Sequence, residues 1–556
     1  MHYYIVIQSV SVQASLLQKH SLMGHRIYPR GFVLSRESTK PPAGFIAGPI
    51  FDNLFIDDLN SADSASKGEV AVVVLGTCVS TVADEPSLRS PDKQSESKRP
   101  FPLNSAPDSP ARHMLDALLV SEERFFDTID QYCGRHVILY GKKDKPRIVT
   151  DATGMRTVFY AAEGGVVASH PRLVEETLGG EIIRIDLPFR YGFPGNHTPY
   201  VRTRLLTPNT LYDFVKAKVV RFWPRGPIKE LTPQEAAEIV LKRAETALKR
   251  AAMGRRVSLS ITAGLDSRTV LALALHSGIQ FDGYTYDRGK RTSIDCEVAR
   301  ELARISGITH NVVPTPTSAP EELKGLLNRT TYYNHHHSVI TPMQQHFASN
   351  DILTVTANLL EIGRFFYKGQ NYADKLPENP ESMSELALAA TNWSEREMDE
   401  MRGSKNKNLI PEYFSDFIRD TNFNAARGIL DSRDQFYWEH RMSAWHGMIL
   451  LERDFYADCF IPFNSRSIFE VLLGVPEADR KNSTVFKMLI DKCAPQLLSN
   501  IPINPTQWPL RQRSTEPSKA LPWLKMQACR LERELNANGL GSLPRLYRRA
   551  LRALGK

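Results

Sequence analysis

No apolar run in the chain approaches the roughly 18 residues needed to cross a bilayer, so membrane insertion is not expected. The first residues lack the charged-then-apolar order of a secretory signal, which makes a cytoplasmic enzyme the expectation. No C-x-x-C pair occurs among the six cysteines, Cys78, Cys133, Cys296, Cys459, Cys493 and Cys529. That absence excludes a paired-cysteine zinc cage and a disulfide scaffold, and leaves them as buried, inert thiols. Charge of one sign is not in large excess either. The 70 Lys and Arg stand against 62 Asp and Glu, a net +8, and this alone implies no nucleic-acid partner. The local excess peaks in the last residues, where Arg545, Arg548, Arg549, Arg552 and Lys556 follow a helical spacing and read first as a solvated face.

What is present suffices for packed cores. Hydrophobic residues are 42% and charged residues 24% of 556, close to the soluble average, and the length implies about two to four domains. The first half carries β-branched runs at Tyr3–Ile7, Val70–Leu75, His136–Tyr140, Val158–Tyr160 and Gly165–Ala168. Between Asp84 and Arg112 the composition turns to Ser, Pro, Lys, Asp and Glu and predicts a mobile surface insertion. A second shift at Arg221–Glu230 precedes a Thr232-Pro233 helix start, with a helix to about Ala252. Beyond it, strand and helix alternate: Val257–Ile261, Asp266–Ser277, Phe281–Tyr286, Asp295–Ser306 and Asn311–Val313, the order of a parallel α/β sheet. The domains are therefore expected at 1–225, 226–515 and, as a basic helical tail, 516–556.

The segment VSLSITAGLDSRTVLALAL is an apolar strand, a turn of small residues and a helix start. Small residues at Thr262, Ala263 and Gly264 let backbone N–H groups approach an anion, and the helix N-terminus adds its positive end. No G-K-[ST] follows, so a kinase-type phosphate loop is not expected. An acid inside a phosphate cradle repels the anion unless a divalent cation lies between, so Asp266 implies a magnesium-bridged polyphosphate.

TAGLDS resembles the SGGxDS pyrophosphate loop of the ATP pyrophosphatase superfamily, with Thr262 for the usual Ser, Ala263 for the first Gly, and Arg268 where many members have a small residue. YTYDRGKRTSIDCEVARELARISGITHNVV is similar to the second strand and helix of asparagine synthetase-like domains, matching at Ser293, Asp295, Gly307 and His310. VTANLLEIGRFFY lies where those enzymes have their second acidic motif; Glu361 takes the place of the second magnesium carboxylate, and Leu359 and Leu360 replace small residues. The resemblance implies ATP and Mg²⁺ as cofactors. Ser260, Thr262, Ala263, Gly264, Leu265, Asp266, Ser267, Tyr286, Thr356 and Ala357 would bind the nucleotide, with Asn358 beside them, and Asp266 and Glu361 would hold the metal. YWEHR at Tyr437–Arg441, Trp445, IPFNSRSIFEVLLGVPEADR and Lys487 extend the match over most of 233–505. β-Lactam synthetase-like members use a Tyr and a Glu to deprotonate the attacking amine, and a Lys to offset charge. The corresponding candidates here are Tyr437, Glu439 and, in place of the Lys, Arg511 or Arg513.

YCGRHVILYGKKDKPRIVTDATGMRTVFYAAEGGVVASHPRLV resembles the late strands of a glutaminase domain, including Asp151, Gly154 and Tyr160, and GNHTPYVRTRLLTPNTLYDF resembles the segment that joins the two domains. Such domains use a cysteine at position 2; this chain has His2, and its first cysteine, Cys78, lies inside a strand. The expected fold is an N-terminal glutaminase-like (Ntn-type) α/β sandwich without glutaminase activity, followed by a parallel α/β ATP-pyrophosphatase domain with a helical C-terminal part. Members without the cysteine, such as β-lactam synthetases and lasso-peptide cyclases, adenylate a carboxylate and let an amine attack it. The resemblance thus implies an AMP-forming carbon–nitrogen ligase acting on a small carboxylic acid or a peptide, which a partner protein could deliver. The rival readings are a tRNA- or nucleobase-modifying pyrophosphatase-loop enzyme and a degenerate partner-binding protein. Asn334, His335, His336 and His337 invite a metal reading, but adjacent side chains diverge and no acid pattern completes a site.

Overall fold

The structure, a computed structural model, describes residues 27–506 apart from 37–39, 41, 43, 59–61, 83–108, 186, 188–191, 333–334, 349–351, 368–375, 390–407 and 500. The Tyr3–Ile7 run, His2, most of the insertion, Asn334, Arg511, Arg513 and the basic tail lie outside the described residues.

The N-terminal half builds two six-stranded antiparallel sheets. The first joins β1 (Phe32–Ser35), β2 (Ile46–Ala47), β3 (Leu54–Ile56), β8 (Phe159–Ala161), β9 (Val166–Ala168) and β10 (Thr203–Leu205). The second joins β4 (Ala62–Lys67), β5 (Val70–Ser80), β6 (Tyr132–Lys142), β7 (Lys145–Thr150), β11 (Thr210–Asp213) and β12 (Lys218–Arg221). Phe32, Leu34, Leu54 and Ile56 of one sheet share a core with Val73, Leu75, Val137, Leu139 and Ile148 of the other, which makes the pair a face-to-face sandwich. Helices α1 (Pro110–Val120), α2 (Glu122–Ile129) and α3 (Pro171–Leu178) accompany the strands. The end of the expected insertion is corrected here. Pro110–Arg112 is already the first turn of α1, because Ser109 caps it and the Asp63 carboxylate accepts from the Ala111 N–H at 2.9 Å.

Helix α4 (Pro233–Ala252) starts with a full capping box between Thr232 and Glu235. It leads into a five-stranded parallel sheet in the order β15-β14-β13-β16-β17 (His310–Pro314, Asp282–Asp287, Arg256–Ser260, Ile352–Val355 and Asp458–Phe460). Helices α5 (Leu265–Ser277) and α6 (Ser293–Ser306) connect β13, β14 and β15 in one direction; α7 (Glu321–Thr330) and α8 (His337–Phe347) then return the chain to β16 on the other side of β13. The strand order reverses between β13 and β16. In open parallel sheets the loops that leave the carboxyl ends of the strands at such a reversal flank a crevice, and ligands bind there.

The remainder is mostly helical: α9 (Pro380–Ala389), α10 (Leu409–Thr421), α11 (Ser432–Phe436), a π-helical stretch at Tyr437–His446, α12 (Gly447–Arg453), α13 (Arg466–Leu473), α14 (Glu477–Lys481) and α15 (Thr484–Cys493). Buried polar contacts tie it to the sandwich. Arg135 donates to both oxygens of Asp454 at 2.8 and 2.9 Å, the Asp151 carboxylate accepts from Asn464 at 2.9 Å, and the Trp438 indole donates to the Ala152 carbonyl at 2.7 Å. Of the described cysteines, Cys78, Cys133, Cys296 and Cys459 are buried and Cys493 is half-buried.

Candidate active site

Residues Ile261–Gly264 leave the carboxyl end of β13 and enter α5, so the small-residue turn stands at the sheet's reversal point. The turn is braced from within. The Ser267 hydroxyl accepts from the Thr262 N–H at 3.2 Å and donates to the Thr262 carbonyl at 3.0 Å, and the Thr262 hydroxyl accepts from the Gly264 N–H at 3.3 Å. The Ala263 N–H points outward and donates to Asp295 Oδ1, at 2.9 Å, on the first turn of α6. A carboxylate therefore sits where the turn presents an anion-binding amide, which gives Asp295 a definite place beside the loop.

Arg268 is fully buried and has no acid partner among the described residues. Its guanidinium donates to the carbonyls of Leu497 at 2.9 Å, Ile501 at 2.6 Å and Pro502 at 3.0 Å. The Asn504 N–H returns a bond to the Ala263 carbonyl at 3.1 Å. Together these bonds draw the Ile501–Asn504 segment across the loop. A Cβ on Gly264 would meet the Asn504 Oδ1 at 3.4 Å, tighter than most real contacts.

Asp266 and Glu361 come together although they lie on separate elements. Asp266 is in the first turn of α5, and Glu361 is in the 3₁₀ turn Leu360–Arg364 that follows β16. Burial, the Glu361 charge and a hydrogen bond to Glu361 push the Asp266 carboxyl well above the usual carboxylate range, against the pull of the Arg364 guanidinium with which it is paired. Leu359 and Leu360, which replace small residues of the resembled motif, are fully buried, and Leu359 takes φ 83°, in the region that favours glycine. Thr356 is buried and its N–H donates to the Phe460 carbonyl at 3.0 Å.

Tyr437 opens the π-helical stretch. Its ring stacks on Phe366 at 4.4 Å, and its hydroxyl is pushed well above its ordinary value, chiefly by burial and then by Glu361, with Asp266 and Arg441 also near. Long π-helical stretches are rare and cluster at functional sites. Here Tyr437 is its first residue, near enough to the acid pair for the Glu361 and Asp266 charges to act on its hydroxyl.

Glu439 does not join it. This carboxylate is fully buried and accepts from Arg221 at 2.6 and 2.8 Å, from Asn209 at 3.1 Å and from Gln435 at 3.2 Å. Those four bonds use its acceptor sites and join the helical part to β12 of the sandwich, so the geometry removes Glu439 from the groups that face the acid pair. The signal that separates the two residues, a partner 218 positions away, is not in the local sequence. Ser260 hydrogen-bonds Tyr284, and Tyr286 lies under the Arg288 guanidinium at 5.3 Å and edge-on to His336 at 5.9 Å. Sequence reasoning named neither Arg364 nor Asn504. Arg364 follows Glu361 within the quoted motif, and only the approach of α5 gives it a role.

No protein-family model matches the chain, and no curated protein does. Among solved structures it is similar to a glutamine-dependent NAD⁺ synthetase from Acinetobacter baumannii in complex with ADP, at 13% identity and a TM-score of 0.17, over 28% of this chain and 31% of that one. The chain thus spans about a third of that enzyme's length. It is also similar to an NMN synthetase from Francisella tularensis (13% identity, TM-score 0.20, 39% of this chain and 97% of that one). A glutamine phosphoribosylpyrophosphate amidotransferase from B. subtilis, complexed with ADP and GMP, is similar at 10% identity and a TM-score of 0.21, over 64% of this chain and 74% of that one.

Proposed function

We propose that the chain is an ATP-dependent carbon–nitrogen ligase that activates a carboxylate as an acyl-adenylate and passes the acyl group to an amine. The observation that carries this reading is the meeting of Asp266 and Glu361 across the reversal point of a parallel sheet, beside a turn of small residues at a helix N-terminus. Two half-buried acids in hydrogen-bond contact repel unless a cation or a proton is added, and an all-oxygen donor pair suits a hard divalent ion. Asp266 and Glu361 are the groups that would hold Mg²⁺, which when bound offsets charge on the phosphates being transferred.

In the first half-reaction a substrate carboxylate oxygen attacks the α-phosphorus of ATP and pyrophosphate leaves. In the second the amine nitrogen attacks the acyl carbon, AMP leaves, and the amine loses a proton. The braced turn and the α5 N-terminus supply amides for the phosphates once Asp295 releases the Ala263 N–H. Tyr437, whose hydroxyl is pushed well above its ordinary value by burial and by Glu361, stays a phenol at neutral pH and would donate a hydrogen bond at the acid pair. The sandwich is read as a glutaminase-like domain that has lost its nucleophile and serves as a buttress through Arg135, Asp151 and Arg221.

Two observations favour a second reading, a degenerate partner-binding protein: the loop's outward amide is engaged by Asp295, and Asp266 is paired with Arg364. Magnesium-dependent exchange of labelled pyrophosphate into ATP, in the presence of a carboxylic acid, separates the two.

A further inference from the structure

Arg453 ends α12 and is buried, with 6% of its surface accessible, yet neither Nε nor Nη1 meets a hydrogen-bond partner among the described residues. Other buried guanidinium groups are better satisfied: Arg135 donates to Asp454, Arg480 to Asp434 at 2.7 Å, and both Nη atoms of Arg268 to carbonyls, while Arg453 alone among the described arginines has two buried nitrogens without a partner. An unpaired buried cation is among the costliest features a fold can carry, and it persists where something outside the chain completes it.

Its surroundings point to what that is. The Arg453 charge acts on His336 and His446, and lies close to the hydroxyls of Tyr284, Tyr286 and Tyr456. His446 is 3% exposed and its Nε2 has no partner among the described residues; the same holds for Nδ1 of half-buried His336. Glu452 acts on this cluster too, but its oxygens accept from the His335 and His336 N–H groups at 3.1 and 2.6 Å and so cap the start of α8. The next acid, Asp454, is forked onto Arg135. Tyr284 hydrogen-bonds Ser260, which places the cluster against the strand that carries the phosphate loop, on the sheet face where Tyr284 packs with α8 residues and Tyr456.

A guanidinium with two free nitrogens and two imidazoles with one each, among the described residues, gathered beside the loop, form a receptor for an oxyanion. We infer that Arg453, with His336 and His446, holds a second carboxylate of the acid substrate, apart from the one that is activated. The inference rests on the ligase reading for naming the ligand as part of that substrate; the oxyanion site itself does not depend on it.

The full chain is melted alone and with succinate, inorganic phosphate or MgATP, beside Arg453→Met, Arg453→Lys and His446→Gln. Succinate is expected to raise the parent's Tm, with its Kd weakened at least tenfold in Arg453→Met and less in Arg453→Lys and His446→Gln. Without ligand, Arg453→Met is expected to melt no lower than the parent, because replacing an unpaired buried charge by an apolar side chain of similar length removes a burden. The inference is overturned by any of four results. These are no succinate shift in the parent; an equal shift in Arg453→Met; a ligand-free Arg453→Met that melts several degrees lower or does not fold while Arg453→Lys binds succinate no more weakly than the parent; or an Arg453-dependent shift with phosphate or MgATP but not with succinate. Pyrophosphate exchange is not involved, so failure here leaves the ligase reading standing, and failure of exchange leaves this site standing.

Discussion

The Arg268 guanidinium donates to the Ile501 carbonyl at 2.6 Å and so fastens the chain that crosses the Thr262–Gly264 turn to the helix that turn begins. Many members of the resembled superfamily have a small residue at this position, and here the larger side chain is absorbed by three carbonyls that need donors. Replacing it by Ala strands those carbonyls, at a cost of about 2–3 kcal/mol. Arg268→Ala is expected to lower the urea midpoint and weaken ATP binding together, with Arg268→Lys restoring part of both.

Glu439 and Tyr437 are separated by a different experiment. Glu439→Gln breaks a buried ion pair with Arg221 and is expected to lose about 3 kcal/mol of stability. Exchange activity per folded molecule should stay within about twofold of the parent, because nothing at the acid pair changes. Tyr437→Phe, by contrast, is expected to keep stability and lose activity, as measured by denaturation and exchange on the same samples.

The acid pair makes the opposite forecast. Asp266→Asn or Glu361→Gln relieves the repulsion between two neighbouring acids and is expected to leave the metal-free Tm unchanged or higher. The same substitutions should reduce exchange by at least about 100-fold. A stability loss matching the activity loss would mark both acids as structural.

His440 tests the burial argument through pH. Its ring is stacked on Phe436 at an interplanar angle of 11°, its Nε2 faces the Phe193 carbonyl at 3.1 Å, and burial pushes its pKa down to about 4. A base whose folded pKa lies below its unfolded value contributes stability that is full above about pH 6.5 and is lost as pH falls toward the folded pKa. Between pH 6.5 and 5 the parent is therefore expected to lose about 2 kcal/mol more than His440→Phe, read from urea midpoints at each pH.

Much of the α/β half was legible because its signals are local. The capping box at Thr232 and Glu235 starts α4 where the sequence places it, and alternation of apolar strand and amphipathic helix gives β13, β14 and β15 with the helices between them to within one or two residues at each end, whereas β16 and β17, which complete the sheet, were not foreseen. The juxtaposition of Asp266 and Glu361 was implied by the resemblance of their two motifs, and the structure supplies the reason: β13 and β16 are parallel neighbours whose carboxyl ends open on the same edge. The fates of Glu439, Arg268 and Arg453 were not legible. Each depends on contacts, or on the absence of contacts, with residues far along the chain: Arg221 for Glu439, Ile501 for Arg268, and for Arg453 the lack of an acid partner among the described residues.

The central claim is met most directly by ATP–pyrophosphate exchange with Mg²⁺ and a panel of mono- and dicarboxylic acids, comparing the parent with Asp266→Asn and Glu361→Gln. The account predicts exchange that requires an acid and is lost in both variants. Parent protein that binds MgATP in neither the presence nor the absence of these acids, and shows no exchange with any of them, would contradict it.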